Sequence, residues 1–370
     1  MNNVLYDVWF SAMLINRQDI YNKLIEKYET SENAFKNFTE EDIFNFSDEQ
    51  RKSLLKKDLK IAENIIKRCQ KEGIEIINSE SMYYPELLKY TDMPPAVLYA
   101  KGNIEKLKMP KVTVIGSRQC DKEGVHNARR FSKTFSDVGL CVVAGFAPGI
   151  EAYVHKEVLS TIVILPCGIN VTYPSVHFRL KNSILENEGL LISEYPFGVR
   201  AFKENFKFRN RLLAGISDAV VFVQCGMKSG TAHTFNWAAL YGRDAYVIPG
   251  SINSIFYKGS NSYIREGGIL ITCPEDVLIN YFSRYPQLID NDKECEAELT
   301  IAPEIDFESL DIVDDNEKTI LKALSGKIMH IDELIKETNI SVRAASVCLT
   351  NLELFNMIEK CEGNRYRIKR

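Results

Sequence analysis

From Lys111 to Pro166 the chain reads KVTVIGSRQCDKEGVHNARRFSKTFSDVGLCVVAGFAPGIEAYVHKEVLSTIVILP, and this stretch decides the fold. Short apolar, β-branched runs at 112–116, 141–145 and 161–166 alternate with segments in which apolar residues recur every three or four positions. Continuous apolar runs indicate strands that are buried on both faces, and a helix between consecutive strands is typical of a parallel sheet. The stretch therefore predicts an α/β domain.

The same alternation continues toward the C-terminus. Further strand-like runs are LLISEY (190–195), AVVFVQ (219–224), DAYVIPG (244–250) and ILIT (269–272). Six or seven such strands with intervening helices predict a doubly wound, Rossmann-type parallel sheet. Because ligands of these sheets bind at the carboxyl ends of the strands, we expect the functional residues in the strand-to-helix turns.

The flanking segments predict three further parts of the chain. Helical spacing of apolar residues in 1–80 predicts an N-terminal helical domain, and an extended, proline-rich segment leads from residue 81 into the sheet domain, which ends at 282. Residues 283–316 carry 2 basic and 11 acidic side chains, which indicates an acidic linker. Three helical segments and a hairpin in 317–370 predict a winged-helix-like domain, with a small protein-interaction domain as the alternative.

Composition narrows the class of protein. The net charge is −4, and the nine cysteines contain no CxxC pair, so we expect reduced thiols, no disulfide, no metal and no cofactor. No run reaches the roughly 18 apolar residues of a membrane span, and the N-terminus has no basic region of a signal peptide. These features predict a cytoplasmic chain that does not bind a membrane.

The first turn, Gly116-Ser117-Arg118, directly follows a predicted strand. Glycine lets the backbone approach a phosphate, a helix N-terminus supplies N–H groups, and arginine offers a planar pair of donors to phosphate oxygens. The alternative is a tight turn with a surface arginine.

The segment Phe206-Lys207-Phe208-Arg209-Asn210-Arg211 carries the most information. Interleaved rings and cations suit a single-strand groove, in which rings stack on bases and cations contact phosphates. Alternatively, the aromatic side chains belong to the core and one arginine pairs with Glu194. The complete candidate set for binding phosphate and single-stranded DNA is Gly116, Ser117, Arg118, Gly145, Gly149, Gly168, Tyr173, Lys203, Lys207, Phe208, Arg209, Asn210, Arg211, Lys228, Ser229 and Gly230.

The other turns leave alternatives open. Gly145 and Gly149 border a helix start and suit either an anion cradle or close packing, and Tyr173 either stacks on a base or covers the sheet. We interpret His155 as a core or capping histidine. No catalytic triad or pair of carboxylates stands at the strand ends, so the sequence favours a binding protein over an enzyme.

In order, the motifs GSR, AGFAPGIE, PCG with YP, LISEYP, FRNRLLAG, SGT and GRDAYVIPG resemble the DNA-processing protein A (DprA/Smf) family over roughly residues 80–280. The resemblance implies a single-strand groove at Arg118 and 203–211, with backbone cradles at the glycines. It also implies binding of incoming DNA in natural transformation, a homodimer through the Rossmann-type domain, loading of the RecA recombinase, and an N-terminal domain of the SAM or helix–hairpin–helix type. Pro148 stands where the family usually has an arginine.

The sequence leaves two other functions as alternatives. The loop GMKSGT (226–231) loosely resembles the PGGxGT loop of phosphoribohydrolases, which suggests a binder or hydrolase of nucleotide derivatives, but the helix that follows has no acidic residue. A winged-helix transcription factor is disfavoured because the basic residues of the motifs lie in the sheet domain.

Overall fold

The computed structural model describes residues 3–227, 229–288, 315–324, 327, 329–354, 357–361 and 365–368. These residues form two compact units, Met1–Asn291 and Asp292–Arg370. Among the described helices, none combines the length and the apolar character that crossing a bilayer requires.

Five helices begin the first unit: α1 (Asn3–Met13), α2 (Gln18–Tyr28), α3 (Ser31–Asn37), α4 (Asp48–Leu55) and α5 (Lys60–Lys71). They pack around Trp9, which is fully buried between Phe10 and Phe35 and donates its indole N–H to the Asp58 carbonyl at 3.0 Å. A capping box between Ser47 and Gln50 starts α4 by satisfying backbone N–H groups that have no partner inside the helix.

A nine-stranded sheet forms the centre of this unit. Its strands are β1 (Glu75–Asn78), β2 (Val97–Gly102), β3 (Lys111–Ile115), β4 (Cys141–Ala144), β5 (Ile162–Leu165), β6 (Leu190–Ser193), β7 (Ala219–Phe222), β8 (Asp244–Val247) and β9 (Ile269–Leu270). The strand order is β1-β2-β6-β5-β4-β3-β7-β8-β9. Strands β3 to β9 are parallel, which confirms the doubly wound sheet, whereas β1 and β2 add an antiparallel edge.

Helices cover both faces of the sheet. They are α6 (Glu86–Lys89), α7 (Lys122–Asp137), α8 (Ile150–Glu157), α9 (Phe178–Glu186), α10 (Lys203–Gly215), α11 (Thr231–Leu240), α12 (Lys258–Arg265) and α13 (Glu275–Arg284). One apolar cluster lies on the α7 and α8 side and a second on the α10 and α11 side. Because β3 to β9 are parallel, the turns that follow their carboxyl ends meet at one edge of the sheet.

The predicted boundary at residue 80 is not a boundary in the structure. The same apolar cluster contains the N-terminal helices and sheet residues such as Tyr99, whose hydroxyl lies 2.9 Å from that of Ser11. Asn78 on β1 donates to Asp7 at 2.9 Å. Residues 97–102, which read as part of a connector in sequence, form β2, whose backbone groups pair with β6 on one side and with β1 on the other.

The predicted linker, 283–316, falls mostly on 289–314, which lie outside the described residues. At its start, the chain continues α13 to Arg284 and buries Leu288 in the core, so the sheet domain extends past residue 282.

The second unit contains α14 (Asp315–Leu324), β10 (Met329–His330), α15 (Ile331–Thr338), α16 (Val342–Leu354), β11 (Ile358–Cys361) and β12 (Arg365–Ile368). Its strands form a sheet in the order β10-β12-β11, and its core includes Ile320, Leu334 and Leu349. Three helices with a terminal hairpin are the predicted winged-helix arrangement.

Candidate functional site

A cavity of about 1080 Å³ lies at the carboxyl ends of β3 and β7, where the sequence predicts the ligand. Ten of the candidate residues line this main cavity: Gly116, Ser117, Arg118, Tyr173, Lys203, Lys207, Arg209, Asn210, Ser229 and Gly230. These residues come from three loops and from helix α10, and the parallel topology brings them together. Lys228 lies outside the described residues.

The turn after β3 is held by contacts with the turn after β7. The Ser117 N–H donates to the Gln224 carbonyl at 2.8 Å, and the Gly226 N–H donates to the Ser117 hydroxyl at 3.0 Å. A side chain at Gly116 would lie only 2.6 Å from Ile150, so glycine is needed for close packing there. Arg118 is exposed at the end of this fixed turn.

One face of α10 forms the cationic wall of the main cavity. Lys203, Phe206, Lys207 and Asn210 are three or four residues apart and therefore lie on the same side of the helix. Both lysines are exposed. Phe206 packs edge-to-face against Tyr173, with ring centroids 5.6 Å apart.

Arg118 lies against this aromatic pair. Its guanidinium carbon is 5.1 Å from the centre of the Phe206 ring, a distance at which a cation is attracted to the face of the ring. The main cavity therefore places an exposed arginine and two exposed lysines next to two rings.

Arg209 lies beneath the cavity and is only 2% exposed. It donates to the Ile164 carbonyl at 2.5 Å. Burial lowers the pKa of Arg209, while the nearby Glu151 carboxylate favours its charged form. Glu151 itself accepts the Ala147 N–H at 2.7 Å. Arg209 thus supplies positive charge from below the floor of the cavity, with little surface for direct contact.

Arg211 requires a correction to the predicted site. Its guanidinium is 1% exposed, forms an ion pair with Glu194 and lies 4.2 Å from the centre of the Phe208 ring. Neither Arg211 nor Phe208 lines the main cavity. The alternative from the sequence, in which one arginine of this segment pairs with Glu194, is therefore the one that the structure shows.

Three of the candidate glycines serve close packing. A side chain at Gly145 would overlap Arg209 and Glu151, and one at Gly168 would lie 2.5 Å from the Pro196 carbonyl oxygen. Gly149 has a φ of +83°, and a side chain there would lie 2.4 Å from the Ser117 carbonyl oxygen. Both the backbone conformation and the close contact therefore favour glycine at this position. None of the three lines the main cavity.

His155 is fully buried between the Gly145 carbonyl, at 2.7 Å, and the Thr161 hydroxyl, at 2.8 Å. Burial lowers its pKa to about 4, so the imidazole is neutral at pH 7. It is a core histidine, as interpreted from the sequence. Elsewhere within the described ranges, His, Cys, Asp and Glu side chains form no group of three that could hold a metal ion.

The sequence missed several residues of the main cavity. Phe206 lies in the aromatic and basic segment and is absent from the candidate set, although helical spacing from Lys203 places it on the same face. Met227, His233, Ile255 and Phe256 also line the cavity. Ile255 and Phe256 belong to the loop between β8 and α12, and no sequence motif marks this loop.

Comparison with known proteins gives matches to two family models. Residues 75–282 match the model described as DNA recombination-mediator protein A, and residues 308–364 match the DprA winged helix domain. Protein Smf of Escherichia coli is 31% identical over 302 residues, which cover 80% of this chain and 78% of that protein.

Two solved structures are similar. The structure of DNA processing protein A from Streptococcus pneumoniae has a TM-score of 0.63 at 30% identity and covers 75% of this chain and 98% of its own. The structure from Helicobacter pylori, which addresses how that protein binds single-stranded DNA, has a TM-score of 0.51 at 25% identity and covers 57% and 97%.

Proposed function

The chain belongs to the DNA recombination-mediator protein A family, and from that premise we propose that it binds single-stranded DNA in the main cavity. The related protein from Helicobacter pylori binds single-stranded DNA, which supports this assignment. The match to the family model, 75–282, includes every residue that lines the main cavity.

The observation that carries the proposal is the position of Arg118 over the Phe206 ring beside Lys203 and Lys207. A single strand exposes both flat bases and charged phosphates, so a site for it needs rings and cations side by side. Duplex DNA hides its bases in the stack and offers the rings nothing to contact. The cavity therefore favours single-stranded over double-stranded DNA.

Fluorescence anisotropy with labelled oligo-dT across a salt series tests this proposal. Removing one phosphate contact should flatten the log–log salt slope by about 0.7, and we expect Arg118→Ala to weaken binding about tenfold or more. The matched control is Arg265→Ala, which removes an exposed arginine outside the cavity. A salt-independent affinity, or equal losses for both variants, would refute the phosphate site.

We propose further that the bound strand is passed to a RecA-type recombinase in the cytoplasm during natural transformation. The description of the family as recombination mediators supports this role. The test measures RecA-dependent strand exchange on DNA that is precoated with single-strand-binding protein. Wild type should shorten the lag before exchange and Arg118→Ala should not; no effect of wild type would refute mediation.

We also propose a homodimer that forms through the edge of the Rossmann-type domain at β9. Ile269 and Leu270 on this terminal strand are 43% and 52% exposed, and the outer edge of a strand can pair with a second copy. Light scattering after size-exclusion chromatography should give a dimer for wild type and a monomer for Leu270→Lys. A monomeric wild type would refute the proposal.

Finally, we propose that the site binds DNA without cleaving it. Glu151 is the carboxylate at the cavity wall, and it is held by the Ala147 N–H next to Arg209. An end-labelled oligonucleotide and nucleoside monophosphates should both remain intact after incubation with the protein. Release of a base or ribose phosphate would support the alternative, a hydrolase of nucleotide derivatives.

A further inference from the structure

A second depression, of about 460 Å³, adjoins the main cavity at Arg118. Its lining consists of Arg118, Gln119, Cys120, Gly149, Tyr153, Ile255 and Phe256. Arg118, Gln119, Ile255 and Phe256 also line the main cavity, so the two spaces adjoin each other at these residues. Arg118 therefore lies where a strand leaving the main cavity would enter the second depression.

Tyr153 supplies the second depression with an aromatic ring that has cations near it. Its ring is half-buried on α8, and two cations lie near it: Lys156 Nζ is 5.0 Å and the Arg129 guanidinium carbon 5.6 Å from the ring centre. Arg129 comes from the neighbouring helix α7 and has a half-exposed side chain that also approaches Glu157 at 3.6 Å. Two cations thus approach the Tyr153 ring, and Arg118 lines the same depression as that ring.

The two spaces repeat one arrangement. In the main cavity a ring, Phe206, has Arg118 on its face and lysines beside it; in the second depression Tyr153 has Arg129 and Lys156 beside it. Arg118 lies at the border of both. It is thus placed to bind a phosphate that joins two nucleotides, one on each side.

We propose that Tyr153 forms a second base-stacking seat, which holds a base of the same DNA strand that occupies the main cavity. Arg118 binds the phosphate between the two seats, and Arg129 and Lys156 bind the phosphate beyond the second seat. This inference rests on the proposed single-strand function, because it extends the path of that strand onto α8.

The test compares Tyr153→Ala, Tyr153→Phe and Arg118→Ala in the full-length protein, with oligo-dT of increasing length. Loss of one stacked base costs roughly 5- to 150-fold in affinity. We expect this loss for Tyr153→Ala only with oligonucleotides long enough to reach the second seat, while Tyr153→Phe binds like wild type. If Tyr153→Ala binds every length like wild type while Arg118→Ala is impaired, the second seat is refuted and the main cavity stands. If Arg118→Ala is also unimpaired, the proposed function itself fails.

A fluorescent base gives a readout that a change in folding would not produce. Oligonucleotides that carry a single 2-aminopurine at different positions are each bound to saturation. At one position the emission should be quenched in wild type and in Tyr153→Phe, and it should be restored in Tyr153→Ala. Equal emission at every position in all three proteins would overturn the proposal. A second outcome would also overturn it. If free dTMP restores the 2-aminopurine emission in the Arg118→Ala variant, the Tyr153 seat binds a single nucleotide independently of the strand.

Discussion

Replacing Arg211 with alanine should destabilise the protein without touching its ligand site. The side chain is 1% exposed, and its partner Glu194 is 8% exposed. Glu194 Oε2 and Arg211 Nε and Nη1 have no hydrogen-bond partner among the described residues, so the pair depends mainly on its mutual attraction. Arg211→Ala would leave a carboxylate buried and unpaired.

The expected cost is about 3–5 kcal/mol, which is typical of breaking a buried ion pair by removing one partner. For a unit of this size each kcal/mol lowers the melting temperature by roughly 2–4 °C, so the variant should melt roughly 6–20 °C lower. Burial already raises the pKa of Glu194, and Arg211 opposes that rise. Without Arg211 the pKa rises further, so the variant should lose less stability at pH 5 than at pH 8.

Denaturant unfolding and anisotropy on the same variants separate the two roles. Arg118→Ala should keep its unfolding midpoint and lose DNA affinity, whereas Arg211→Ala should lose stability and, below its unfolding transition, retain affinity. The double variant Arg211→Met with Glu194→Leu should be more stable than Arg211→Ala, because no buried charge is left unpaired. An Arg211→Ala protein with an unchanged midpoint and weakened DNA binding would refute this account.

The other predictions concern His155, Gly145 and the second unit. Burial lowers the pKa of His155 from 6.5 to about 4, so the imidazole of the unfolded chain takes up a proton before that of the folded chain as the pH falls. The free energy of unfolding should therefore decrease by about 2–3 kcal/mol between pH 7 and pH 4.5. His155→Gln should remove that part of the pH dependence in denaturant titrations; parallel curves would contradict it. Gly145→Ala should displace Arg209 and Glu151 and destabilise the protein by about 1–3 kcal/mol, and an unchanged unfolding midpoint would contradict this. A protein ending at residue 291 should bind oligo-dT like the full chain; loss of binding would instead assign the DNA site to the second unit.

Much of the fold could be predicted from local pattern. Each of the seven apolar runs from 112 onward contains a strand. In β3 to β7 every residue is buried, because a strand covered on both faces must be apolar along its whole length. The pattern could not show that β1 and β2 join the same sheet. β2 pairs with β6, which lies about 90 residues further along the chain, and β1 then pairs with β2.

By itself the sequence determined which turns carry the candidate residues, since a parallel sheet brings the ends of its strands to one edge. Only the tertiary structure decided which cation of 206–211 faces the ligand site. Arg118 and Lys207 are exposed at the main cavity, Arg209 lies under its floor, and Arg211 is paired with Glu194. Neighbouring residues of a helix point about 100° apart, so one basic segment supplies both a ligand contact and a buried ion pair. Which residue takes which role depends on the elements that pack against each side of the helix, and no local pattern records those neighbours.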